Sequence, residues 1–123
     1  MSNIVKIEKK IREFVTNTAG IDGVVLATSE GLEMASYFKS SISGEDVAAM
    51  GVALLSVSQK ISMALGRGEF EKAMTFASNG SVVIMNVGEE AVLICVNSKD
   101  IKLGLLLYEL SRFNKELREL LSE

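Results

Sequence analysis

The sequence contains no histidine, and its single cysteine is Cys95. Without an imidazole there is no Ser–His or Cys–His nucleophilic pair and no His-ligated metal site. One thiol can form neither an internal disulfide nor a thiolate zinc site. Its place in the apolar run Ala91–Val96 predicts a buried side chain rather than a reactive one. A G-x-x-x-x-G-K-[ST] run is also absent, so nucleotide binding of the P-loop kind is excluded. Gly66-Arg67-Gly68 falls after a predicted helix and before a predicted strand, where it reads as a helix stop and turn rather than a dinucleotide loop. The paired carboxylates Glu45-Asp46 and Glu89-Glu90 fall at a helix start and in a hairpin turn. General acid–base chemistry needs carboxylates that converge in a shielded cleft, which neither position promises. The chain is expected to be non-enzymatic, with no cofactor and no metal.

Charge of one sign is scarce as well. The formal net charge is −3, and both signs are interleaved, as in Lys99, Lys102, Arg112, Lys115 and Arg118 against Asp100, Glu109, Glu116, Glu119 and Glu123. With no basic block, nucleic acid and anionic membrane are not expected partners. No apolar run is read as approaching the ~20 residues a membrane-spanning helix requires. The first residues, Met1-Ser-Asn-Ile-Val-Lys, lack the apolar segment of a signal peptide. With the lone thiol, this predicts a reducing, cytoplasmic location.

What remains is an ordinary globular composition: 123 residues, 48% apolar and 24% charged. A chain of this size buries roughly two-thirds of the surface its unfolded form exposes, enough for one domain over 1–123 without staples. Ile4, Ile7, Ile11 and Phe14 mark an amphipathic first helix that ends before Gly20. Strands follow at 23–28 and 32–37, joined by Ser29-Glu30-Gly31, whose glycine suits a hairpin residue with φ > 0. Ser43 is placed to cap a second helix, with Glu45 and Asp46 at its positive end, and Gly66 to stop it after Leu65. Strands at 69–77, 81–87 and 91–97 are separated by Ser78-Asn79-Gly80 and Gly88-Glu89-Glu90, and Asp100 is placed to cap a last helix over 101–121. The order α-β-β-α-β-β-β-α with successive hairpins predicts an α+β fold, a five-stranded antiparallel sheet with helices on both faces.

The second helix carries two apolar arcs. At 100° per residue Val47, Met50, Leu54, Val57, Ile61 and Leu65 cluster in one quarter of its surface, and this bulky arc is expected to pack on the domain's own sheet. Ala48, Val52, Leu55 and Met63 face another direction, with Gln59 among the few polar groups of the helix body. This second patch is expected to meet another copy of the chain. Strand 69–77, with Phe70, Lys72, Met74 and Phe76, reads as an exposed edge, a template on which a symmetric partner could satisfy free N–H and C=O groups. Those nine residues form the predicted homodimer interface.

Four runs carry a resemblance to a known family. They are Gly20-Ile-Asp-Gly-Val-Val-Leu-Ala-Thr-Ser-Glu-Gly-Leu-Glu-Met-Ala-Ser36, Asp46-Val-Ala-Ala-Met-Gly-Val-Ala-Leu-Leu-Ser56, Val87-Gly-Glu-Glu-Ala-Val-Leu93 and Leu103-Gly-Leu-Leu-Leu-Tyr-Glu-Leu110. In order and spacing the chain resembles the Roadblock / dynein light chain family, whose architecture is profilin-like. The resemblance implies a long middle helix on one face of the sheet and the terminal helices on the other. It further implies dimers in which middle helices pack and third strands pair. Small Ras-like GTPases are the implied partners, in some prokaryotic members through GTPase activation. An activator that inserts an arginine stabilises transition-state charge in trans. Here the loop candidate is Arg67, and nothing in the sequence places it near a nucleotide. The competing reading is a profilin-like small-ligand sensor with a pocket between the sheet and the terminal helices.

Overall fold

Eight elements succeed one another along residues 2–123, which the computed structural model describes; Met1 of the N-terminal reading lies outside them. They are α1 (Ser2–Asn17), β1 (Ile21–Thr28), β2 (Glu33–Phe38), α2 (Gly44–Ala64), β3 (Lys72–Ala77), β4 (Gly80–Val87), β5 (Ala91–Ser98) and α3 (Leu103–Leu121). The predicted order α-β-β-α-β-β-β-α is the observed one.

The strands form one antiparallel sheet in the order β2-β1-β5-β4-β3. Three local hairpins and one long-range pairing produce it. At 29–31 the expected turn forms, with Gly31 at φ +90 and its N–H donating to the Thr28 carbonyl at 3.0 Å. The distant pairing is β1 with β5, which brings Val24 opposite Cys95 and Leu26 opposite Leu93. It makes β1, β5 and β4 interior strands, which explains their near-continuous apolar sequences, and leaves β2 and β3 as edges.

Alternation along these strands divides the interior into two cores. Val24, Leu26, Val83, Met85, Leu93 and Cys95 face α1 and α3, where they meet Ile7, Ile11, Val15, Leu106, Leu110, Phe113 and Leu117. Phe14 and Phe113 stack across the two helices with ring centroids 4.1 Å apart and planes 3° from parallel. On the opposite face Val25, Ala27, Ile84, Val92 and Ile94 meet α2. The architecture is the three-layer one expected, with the middle helix alone on its side.

Several boundaries shift by one to three residues, β1 beginning at Ile21 rather than 23 for instance, and the starts of β3 and α3 have a visible cause. Residues 69–71 are not strand, and β3 begins at Lys72. Phe70 packs against the core under α2, whereas strand alternation would have turned it to the other face. Likewise α3 begins at Leu103, with Lys102 at its N-cap and no side-chain cap, so Asp100 does not serve as one. Ile101 is committed to packing on the core of the terminal helices, where it lies against Gly20, before the helix can start.

By length and composition α2, 21 residues long, is a helix that could cross a membrane, contrary to the reading that no run is long enough. One of its sides is seated on the sheet through Ala48, Gly51, Val52 and Leu55, so part of its apolar character is used within the domain.

Candidate dimer interface

Helix α2 is built as the sequence indicates at both ends. Ser43 takes extended backbone angles, and its Oγ accepts the Asp46 N–H at 3.2 Å. At the other end Gly66 adopts φ +66, its N–H donates to Met63 O at 3.1 Å, and the Arg67 N–H donates to Ser62 O at 2.8 Å. That is the Schellman arrangement, in which a left-handed glycine lets two otherwise unpaired carbonyls be satisfied.

The two arcs of α2 are exchanged relative to the sequence-based expectation. Ala48, Val52 and Leu55 are buried in the domain's own core, with Val52 6% and Leu55 5% exposed. They are unavailable to a second copy. The bulky arc faces outward instead: Met50 is 65% exposed, Val57 54%, Ile61 53% and Leu65 64%, with Val47 and Leu54 half-buried at its margin. The reason lies in Gly51, which occupies the buried arc. A Cβ there would collide with the Ile94 side chain. Small residues at Ala48 and Gly51 bring the helix backbone down onto the flat sheet, and the larger side chains are left on the far side. That glycine was the signal in the sequence that could have identified the inward face.

Of the other predicted interface residues, Gln59 and Phe70 are half-buried, while Met63 is 77% exposed. All three line a cavity of about 750 Å³ at the C-terminal end of α2, together with Gly66, Gly68, Glu69 and Asn86. Lys72, Met74 and Phe76 lie along β3. Met74 packs on the core of the terminal helices, Lys72 is exposed, and Phe76 is 69% exposed at the strand's end. Among the described residues β3 pairs only with β4, so its second side is an open edge, as predicted. The edge and the outward arc of α2 adjoin. A groove of about 210 Å³ runs between them, lined by Val47, Met50, Gly51, Leu54, Thr75 and Val82 among others. A continuous apolar surface therefore spans helix and strand edge, with Val47, Met50, Leu54, Val57, Ile61 and Leu65 in place of Ala48, Val52 and Leu55.

The remaining candidates for chemistry are dispersed. Arg67 sits in an exposed loop, where its Nε donates to the Leu65 carbonyl at 2.9 Å. Cys95 is fully buried, and its Sγ lies 3.0 Å from Oδ1 of Asn97, a side chain that also donates to Ser81. Burial pushes its thiol pKa well up, and the Asp22 carboxylate adds to the shift. Glu89 and Glu90 border an open groove of about 680 Å³ between two hairpins and the end of α3, with Glu30 and Arg118. The middle of the space between the sheet and the terminal helices is filled by the core, and what remains of it for a small ligand lies at the margin, where a pocket of about 210 Å³ is lined by Lys72, Met85, Leu107 and Asn114 among others.

Sequence and fold both have known relatives. The sequence profile of the Roadblock/LC7 domain matches residues 7–97. The Methanocaldococcus jannaschii protein MJ1340 is 25% identical over 104 residues, covering 85% of this chain and 90% of that protein. MJ0310 of the same organism is 26% identical over 98 residues, covering 80% of this chain and 85% of its own. Among solved structures, a Roadblock/LC7 domain from Streptomyces avermitilis superposes with a TM-score of 0.87 at 17% identity, over 94% of this chain and 98% of that one. Myxococcus xanthus MglB gives a TM-score of 0.87 at 18% identity, over 97% and 90%. At such identities the structural likeness speaks for the fold.

Proposed function

We infer that this chain, which belongs to the Roadblock/LC7 domain family, is a non-enzymatic dimeric module that binds and regulates a small Ras-like GTPase. The observation that carries the reading is the apolar arc of α2 lying beside the free edge of β3. A contiguous apolar surface beside unpaired strand groups is costly to leave in water and is suited to a self-complementary contact. Similarity to MglB, one of whose structures is described as a tetrameric arrangement, supports self-association. The GTPase follows from the family resemblance. Absence of histidine and dispersal of the carboxylates favour action through the partner's own catalytic groups, as a scaffold or an activator that remodels them. The buried free thiol suits the reducing cytoplasm proposed as its location.

Two measurements test this reading in sequence. Light scattering across a concentration series should return twice the chain mass, and a monomer at high concentration would remove the dimer. GTPases recovered with the tagged protein from its native cell are then assayed for single-turnover GTP hydrolysis with and without it. A direct, saturable complex with one of them supports the assignment. Failure of every recovered GTPase to bind the purified protein would overturn it.

A further inference from the structure

The geometry of β3 points to one register for the contact between copies: Met74 on the two-fold axis, and Lys72 of each copy opposite the partner's Phe76. This inference rests on the dimer reading above and adds to it the alignment of the two strands.

The ladder of β3 with β4 runs from Lys72↔Met85 to Ala77↔Gly80. Only Ser78 and Asn79 separate Ala77 from Gly80, so that last pair must be one that exchanges both N–H···O bonds. In an antiparallel ladder such pairs alternate, and the next are Thr75↔Val82 and Ala73↔Ile84. The N–H and C=O groups of Lys72, Met74 and Phe76 therefore point away from β4, toward the free side. A second β3 can hydrogen-bond only through these three residues.

Among symmetric antiparallel registers, the one centred on Met74 uses all three on both copies. A shift that moved Lys72 opposite Met74 would call on Phe70 to extend the ladder, but Phe70 has turned under α2 on the other face. The opposite shift would run into Ser78 in the hairpin turn. A pairing of Lys72 with itself would join a single outward residue per strand and set two ammonium groups side by side. In the register centred on Met74 the Lys72 side chain crosses the exposed Phe76 ring, where its methylenes cover apolar surface and its charge meets the ring face.

Both faces of the seam fit. On the terminal-helix side the cross-strand pairs are Lys72 with Phe76 and Met74 with itself. On the α2 side Ala73 lies opposite the partner's Thr75. These small side chains leave room over the seam for the outward arc of α2, whose Met50 and Leu54 already border Thr75 across the groove.

Cysteine pairing in the full-length protein tests the register. Lys72→Cys and Phe76→Cys are made singly and together, oxidised with diamide, and read by non-reducing electrophoresis, with light scattering on each reduced variant. In the inferred register like positions lie four residues apart, roughly 13 Å along the strand, beyond the reach of a disulfide. Neither single variant should cross-link, and the double variant should become a covalent dimer. A single variant that links to itself, or a dimeric double variant that does not link, would overturn the register while leaving the dimer standing. A wild-type chain that is monomeric by scattering would overturn both.

Discussion

Replacing Val52 and Val57 separately by glutamate separates the two sides of α2, because the same change should produce two different failures. Val52 is 6% exposed against the sheet, and Val57 is 54% exposed on the outward arc. At position 52 the carboxylate would enter the apolar cluster of Val25, Ala27, Leu55, Ile84 and Ile94, and burying an unpaired charge in this way costs about 3–5 kcal/mol. A domain of ordinary stability has about 5–15 kcal/mol to lose, so Val52→Glu should be strongly destabilised or unfolded in urea titrations. At position 57 about half the side chain remains to be covered, worth ~0.8 kcal/mol per copy. The two-fold axis doubles that loss and adds two carboxylates to an apolar seam at about 1–2 kcal/mol each. Together these weaken the dimer by about 4–5 kcal/mol, a factor of ~1,000 or more in Kd. Folding of the Val57→Glu monomer should be unaffected within about 0.5 kcal/mol, apart from whatever stability the dimer lends. Urea melts monitored by circular dichroism, and sedimentation over a concentration range, read the two effects separately. If Val52→Glu stays folded and becomes monomeric while Val57→Glu stays dimeric, the assignment of faces is wrong.

Gly51→Ala should destabilise the fold by about 1–2 kcal/mol despite the better helix propensity of alanine, because the new methyl meets Ile94 in a packed core; the urea midpoint measures it. Ser43→Ala removes the acceptor of the Asp46 N–H and should cost about 1 kcal/mol in the same assay. For Cys95 the folded thiol keeps its proton where the unfolded one, titrating near 8.5, has lost it. Above that pH the unfolded state binds fewer protons, so stability should fall by up to about 1.4 kcal/mol per pH unit relative to Cys95→Ala. Parallel melts of the two proteins between pH 8 and 10 should diverge in that sense, and parallel curves would refute it.

How far the sequence reached depended on whether a feature was local. Ser43, Gly66 and Gly31 each act on neighbours within a few residues, and each did what its position promised. The near-continuous apolar runs of β4 and β5 identified them as central strands, because burial on both faces removes the alternation of a half-exposed strand. The inward side of α2 was different, since both of its arcs are apolar and bulk alone favoured the wrong one. What decided it was the approach of Gly51 to Ile94, a residue whose strand is reached only after two intervening strands. The start of α3 was missed for a similar reason: Ile101 is held beside Gly20 by a contact between opposite ends of the chain. At the candidate interface the edge strand was legible and its helical half was not.

The pairing of β1 with β5 also orders events in time. The hairpins β1–β2 and β3–β4–β5 can each form from nearby residues, but the sheet closes only when Val24 and Cys95 meet across most of the domain. Closing so long a loop is paid in chain entropy before any contact rewards it. On the ribosome α2 can settle on Val25 and Ala27 of the first hairpin, but the rest of its seat, Ile84, Val92 and Ile94, arrives only with β4 and β5. During that interval Ala48, Val52 and Leu55 are only partly covered, and premature association of chains would compete with folding. The interior position of β5 thus makes the last strand synthesised the one that commits the molecule to its native state.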